Sequence, residues 1–292
     1  MLGYLLFNGV TTGALYALVA LGIVIVFKAT GIVNFAHGEL FMIGGFLAYT
    51  LHVMLGLPYV PSLLLAVALT FLVGMATDRI AFRPLMKSNM VALVLATVGF
   101  SFMLKGTART IWGGRGDYLP FPPLVAPEPI LLPLDIIILP QQLVVVAGAL
   151  AVLVAFAGFF RLTRMGRMMQ ATADNARAAT LVGIRTDRVY MLTFAVGGAV
   201  AAAAAALMAP LTLLYPDIGF ALFIRGFAAA VLGGLTSLPG AVLGGVCVGI
   251  IEQLAGGYIH SSFLDVSAFV VIMGVLVLKP TGLLGGPRLR RV

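Results

Sequence analysis

Charge is scarce in this sequence. Only 10% of its 292 residues are Asp, Glu, Lys or Arg, while 61% are hydrophobic and the mean hydropathy is +1.12. A soluble domain carries about 25% charged and about 45–50% apolar residues, so the composition is that of an integral membrane protein. Cysteine is scarcer still. Cys247 stands alone in an apolar segment, which excludes a disulfide framework and a thiolate metal cluster. His37, His52 and His260 are too scattered for zinc, and His37 and Glu39 stand two apart, not at the i, i+4 spacing of a helical metalloprotease pair. No GxSxG nucleophile turn is present, and no paired acidic motif suits Mg²⁺ chemistry. The GxxxxGK[ST] loop, whose backbone N–H groups cradle phosphates, is missing too. The expectation is a non-enzyme with no catalytic or metal-ligating residues, and with no cofactor, ATP included, bound by this chain.

What remains is a succession of apolar runs. A membrane helix needs about 20 mainly apolar residues, and such runs occupy roughly 4–27, 34–55, 59–80, 90–111, 141–160, 190–213, 220–236, 241–259 and 264–279. The run 220–236 is short, carries Arg225 and ends in "GGLTSLPG", which reads as a re-entrant or half helix. The predicted fold is an all-α integral membrane protein, a polytopic bundle of about 8–9 transmembrane or re-entrant helices in one domain over 1–292. Residues 1–27 lack a basic leader and a cleavage site and read as the first span.

The net charge of +8 is a topology signal rather than a nucleic-acid footprint. Arg79, Arg83 and Lys87 fall between two runs; Arg161, Arg164, Arg167, Arg177, Arg185 and Arg188 share the loop 161–189; Lys279, Arg288, Arg290 and Arg291 close the chain. Asp117, Glu128, Asp135, Asp217 and Asp265 occupy the alternate connections. Basic loops face the cytoplasm, so 161–189 and the C-terminus are expected inside, and 112–140 and the N-terminus outside. The outer loop, "LPFPPLVAPEPILLPLDIIILP" preceded by the only Trp, Trp112, is Pro-rich and is expected to form an irregular cap.

Polar residues inside apolar runs carry the functional question. In "GIVNFAHGELFMIGGFLAY" (31–49), Asn34 follows Gly31 and suits a helix N-cap. A helix started within the membrane also directs its positive end at an anion, so Asn34 is either a cap or a contact for a substrate carboxylate. Ionisable groups within spans are costly and face interiors or cavities. His37, Glu39 and Glu252 are accordingly pathway or gate residues, or satisfied contacts between helices. Arg225 either pairs with an acid or snorkels to an interface. Gly240, Gly244, Gly245 and Gly249 repeat a small-xxx-small spacing that lets backbones approach closely, as packing or as a hinge.

The loop 161–189 alternates at helical spacing. Met165, Met168, Met169, Thr172, Ala176, Ala179 and Leu181 form a mostly apolar stripe, with Arg167, Gln170, Asp174, Asn175 and Arg177 on the other turns. Ala favours helix, and Gly183 supplies a stop. Three readings compete: a basic amphipathic helix on lipid, an inert connector, or a short helix gripped by a cytoplasmic partner.

The stretches "NFAHGELFMIGGFLAY", "GRMMQATADNARAATLVGI", "AAVLGGLTSLPGAVLGGVCVGIIE" and "LKPTGLLG" resemble, in order along essentially the whole chain, the LivH-like permease subunits of bacterial branched-chain amino acid ATP-binding-cassette importers. The resemblance implies a bacterial inner-membrane, multi-pass subunit that translocates amino acids by alternating access. Its implied partners are a second permease (LivM-like, or a second copy), two cytoplasmic ATPases holding ATP and Mg²⁺, and a periplasmic solute-binding protein. It also implies that Gly166–Ile184 is the coupling segment seated on an ATPase, through Gly166, Arg167, Gln170, Ala171, Asp174, Asn175, Arg177, Ala178, Ala179, Leu181, Gly183 and Ile184. The outer loop 112–140 is then a docking surface for the binding protein. The competing reading is an ATP-independent secondary transporter or channel, in which the intramembrane acids relay protons.

Overall fold

The computed structural model describes every residue except 87, 114–117, 127, 133–135 and 287–292. Lys87, Asp117, Asp135, Arg288, Arg290 and Arg291 of the charge pattern therefore lie outside the described residues. The described chain is helical, with four very short strands. The helices are α1 (Leu2–Thr30), α2 (His37–Tyr49), α3 (Tyr59–Thr77), α4 (Met90–Trp112), α5 (Pro140–Leu162), α6 (Arg164–Asp174), α7 (Ala176–Leu181), α8 (Thr186–Met208), α9 (Ile218–Gly233), α10 (Leu238–Tyr258) and α11 (Phe263–Leu278). Among the described residues, six helices are long and apolar enough to cross a membrane: α1, α3 with its extension to Leu85, α4, α5, α8 extended to Leu211, and α10. Every apolar run expected to be a span coincides with a helix. α2, α9 and α11 are the short ones.

Helix α1 is the axis of the bundle, buried on all sides from Leu15 to Val26. Such a helix is apolar around its whole circumference because nothing on it meets water. Its tightest partner is α10, and glycine sets the spacing. A methyl on Gly249 would collide with the Gly13 backbone, and one on Gly245 with Ala17. Gly240 and Gly244 lie on a different face of α10 and press against Gly233 and Ala229 of α9. The small-xxx-small pattern is thus a two-sided packing device. The alanine run of α8 works alike: Gly44 of α2 abuts Ala202, and Gly74 of α3 abuts Phe194 and Ala195. In a lipid-like medium, such close packing replaces the hydrophobic driving force between helices. The outer faces of α3, α4, α5 and α11 expose Leu64, Leu72, Leu95, Phe102, Leu150, Val154, Val270 and Met273, an apolar belt suited to lipid or to another membrane subunit.

The two ends of the bundle differ. At one end α6 lies against the C-terminus of α1, through Lys28–Asp174 at 3.5 Å, and against the end of α5. This end carries Arg79, Arg83, Arg161, Arg164, Arg167, Arg177, Arg185 and Arg188. At the opposite end, Trp112 stacks on Phe46 and donates to Thr50 Oγ1 at 2.8 Å. There Asn8 joins Gln253 and Gln142, clasping α1, α10 and α5. The Pro-rich segment is more regular than an irregular cap. Leu119–Pro120 pairs antiparallel with Leu213–Leu214 (β1 with β4), and Ile130–Leu132 pairs with Ile136–Ile138 (β2 with β3). Short strand pairs of this kind need few backbone donors, which is why the neighbouring prolines do not forbid them.

Candidate functional site

The break between α1 and α2 creates the first site. Gly31, at φ 76°, terminates α1 in the left-handed conformation that glycine adopts without steric cost. The chain then turns back into the bundle instead of leaving it. The backbone N–H of Phe35 donates to Thr97 Oγ1, part-way along α4, and His37 packs on Gly22 of α1, eight residues before its end. At 1.5 Å per residue, α2 starts about 12 Å inside the tip of α1. Asn34 is not the N-cap, which is Ala36. Its Oδ1 accepts from the Ala36 N–H at 3.1 Å, and its carbonyl accepts from the His37 N–H at 3.2 Å. Asn34 therefore closes a turn ahead of the helix. Backbone groups of a re-entrant segment need such partners because hydrocarbon supplies none.

The bundle holds two further ion-pair networks, the first of them at this start. His37 takes part in neither: its imidazole is buried between Gly22 of α1 and Gly197 of α8. Glu39, two residues further and on another face, is buried against α4 and α9. Its Oε1 accepts from Ser101 Oγ at 3.4 Å and lies 3.7 Å from Lys105 Nζ; its Oε2 lies against Gly219 and has no hydrogen-bond partner among the described residues. Lys105 Nζ reaches Asp217 at 3.0 Å, and Arg109 Nη2 donates to the other Asp217 oxygen at 2.8 Å. Asp217 lies just ahead of α9, outside the spanning segments. Its hydrogen bond from Lys105, then that from Arg109, hold its carboxyl below the usual carboxylate range. The first turns of α2 and α9 cross at Gly38 and Gly219, whose backbones touch, so neither position accepts a side chain.

The second network joins α1, α9, α10 and α11. Glu252 Oε1 accepts from Tyr16 Oη and from Arg225 Nε, both at 3.1 Å. Arg225 Nη2 also donates to Asp265 Oδ1 at 2.8 Å. Arg225 thus pairs with two acids rather than snorkelling, and Glu252 is a satisfied contact on one oxygen. Buried charges in an apolar bundle need such pairing. Neither network has nucleophile–base geometry. No cluster of three metal-ligating side chains exists among the described residues. Sequence reasoning missed Lys105, Arg109, Asp217, Ser101 and Tyr16. The available signal was Lys105 and Arg109, two cations at i, i+4 on one face of an apolar run.

The third feature is the loop helix pair. Thr163 caps α6 by accepting from the Gly166 N–H, and Asn175 caps α7 by accepting from the Ala178 N–H. Gly166 touches the backbone of Phe159 and Phe160. Gly166, Met169, Thr172 and Ala179 face inward, while Gln170 and Ile184 are half-buried. Arg167, Ala171, Asp174, Asn175, Arg177, Ala178, Leu181 and Gly183 are exposed, with Leu181 at 88% and Val182 at 77%. The apolar stripe splits accordingly: its α6 part seats on the bundle, and its α7 end protrudes.

A family model described as the permease component of branched-chain amino acid transport systems matches residues 5–279. The high-affinity branched-chain amino acid transport system permease protein LivH of Salmonella typhimurium is 34% identical, over 98% of this chain and 96% of its own length. The corresponding BraD protein of Pseudomonas aeruginosa is 35% identical, over 98% and 97%. Among solved structures, PsaBC from Streptococcus pneumoniae in complex with Fab aligns with a TM-score of 0.50 at 14% identity, over 94% of this chain and 91% of that chain, a likeness of fold.

Proposed function

The chain belongs to the family of permease components of branched-chain amino acid transport systems, and from that premise we propose that it is a membrane-spanning subunit of an ATP-binding-cassette importer for branched-chain or other hydrophobic amino acids. It works in the bacterial inner membrane, paired with a second permease (LivM-like, or a second copy), two cytoplasmic ATPases carrying ATP and Mg²⁺, and a periplasmic binding protein. The basic end with α6 and α7 is cytoplasmic, as is the C-terminus. The end bearing Trp112 and the Pro-rich segment faces out and receives the binding protein.

One observation carries the mechanism: α7 protrudes from a bundle to which α6 is fastened. A partner that grips Leu181, Val182 and Arg177 pulls on α6. That helix is tied to α1 by Lys28–Asp174 and to α5 by the close contact of Gly166 with Phe159 and Phe160. ATP shifts the permease between states only to the extent that the closed ATPases bind one state more tightly. Asn34, His37, Glu39 and Glu252, in or beside the short-helix break, line or gate the route.

The test substitutes the protruding tip. Leu181→Asp combined with Val182→Asp should abolish ATP-dependent uptake while membrane insertion and folding persist, because the tip is solvated in the isolated subunit. Normal uptake by this variant sinks the coupling assignment. Uptake that needs no ATPase subunit sinks the importer reading itself.

A further inference from the structure

The four charged groups beside α9 form a ladder of alternating sign. From the inside outward they are Glu39, Lys105, Asp217 and Arg109, with side chains 2%, 17%, 53% and 59% exposed. Neighbours along it are 3.7, 3.0 and 2.8 Å apart. The ladder runs from the surface to the first turn of α2 and ends on a carboxylate oxygen, Glu39 Oε2, without a hydrogen-bond partner among the described residues. At its outer end, Arg109 and Asp217 line an open cleft of about 430 Å³ with Tyr118 and Tyr215, within the size range of small-molecule sites. The two tyrosine rings stand 5.4 Å apart.

We infer that the mouth of this ladder is the receiving site for a free zwitterionic α-amino acid, its carboxylate on the Arg109 guanidinium, its ammonium on Asp217, and its side chain against Tyr118 and Tyr215. The inference rests on the importer reading and names the substrate site within it. Binding replaces one Arg109–Asp217 pair by two pairs of the same kind and leaves no charge uncompensated. The ladder is neutral before and after. A lone anion would strand Asp217 on Lys105, and a lone cation would strand Arg109. Exchange of like pairs is close to balanced in free energy, which suits a site that must release its occupant as readily as it takes it.

The test uses the assembled transporter in membrane vesicles. Cys247 is replaced by Ala, and Gly113, on the rim of the cleft, by Cys. Gly113 has φ −64°, and among the described residues a Cβ there meets only Arg109 Cβ at 3.9 Å. The rate of maleimide labelling is measured with leucine, with 4-methylpentanoate and with 3-methylbutylamine, the last two keeping one charge each. Leucine at four times its dissociation constant should slow labelling about fivefold. The single-charge analogues should not, and Arg109→Gln and Asp217→Asn should each abolish the protection, judged as the ratio of each variant's own rates with and without leucine. Equal protection by a single-charge analogue, protection surviving both substitutions, or no protection by leucine in a complex that still performs ATP-dependent uptake overturns the site. A parent complex without ATP-dependent uptake overturns the importer reading instead.

Discussion

One methyl group on Gly249 should push the two central helices apart. Added there, it would overlap the Gly13 backbone and the Gly9 carbonyl. The neighbouring positions show how little slack exists: a Cβ on Gly13 would lie 2.8 Å from Val246 Cα and 2.9 Å from the Gly245 oxygen, and one on Gly9 2.8 Å from Ile250 Cα. Carbon atoms attract best at about 3.5–4.0 Å, so α1 and α10 must separate by about 1 Å, enough to forfeit a quarter to a half of the dispersion well at each contact. The opposing atoms are backbone, with no flexible side chain to yield. The cost therefore falls in the upper part of the overpacking range, about 2–3 kcal/mol. Alanine's better helix propensity returns about 1 kcal/mol, for a net loss of about 1–2 kcal/mol. Gly99→Ala is the control, because among the described residues a methyl there meets nothing within 4 Å and only the propensity gain of about 1 kcal/mol applies. Thermal unfolding of the two purified variants in detergent should therefore move in opposite directions, about 2–3 kcal/mol apart. Equal stability of Gly249→Ala and wild type, or equal destabilisation of both variants, refutes the close-packed axis.

Two further outcomes follow from the same geometry. Gly22→Ala should displace the His37 imidazole, which occupies the space a Cβ would need; the double variant with His37→Ala should recover the lost thermal stability, and failure to recover would show that the imidazole is not the obstacle. Asp217 has its carboxyl held below the ordinary range by Lys105 and Arg109, so its contribution is present above the unfolded carboxylate range and is lost as pH falls through the depressed folded value; because the pair is largely solvated, the effect is about 0.5 kcal/mol. Unfolding measured between neutral and strongly acid pH should show this loss in wild type and a flatter profile in Asp217→Asn.

Much of the fold was legible because membrane spans announce themselves through length and hydropathy, signals that need no partner. All nine apolar runs became helices, and the glycine spacing in 240–249 marked a close-packed face. The half helix expected near 220–236 became α9, 16 residues long. The site was legible only in part. Glu39, His37 and Glu252 stood out as polar residues in apolar runs, but their partners come from distant segments. Glu39 meets Lys105 across 66 positions, and Glu252 meets Tyr16 across 236. The N-cap expected at Asn34 lies two residues further on, at Ala36. The residue type of Asn34 suits both a cap and the tight turn it makes, and only the backbone path distinguishes them.

By itself the sequence determined the medium and the family. Its scarcity of charge demands a bilayer, and its ordered motifs carry the family. The tertiary structure alone decided how deep α2 begins, which face of α10 meets which helix, and that four charges from three segments line up from the surface to a buried acid. Hydropathy is a property of single residues and adds up along the chain. Charge pairing and backbone approach are properties of pairs, set by distances that exist only once the helices have packed.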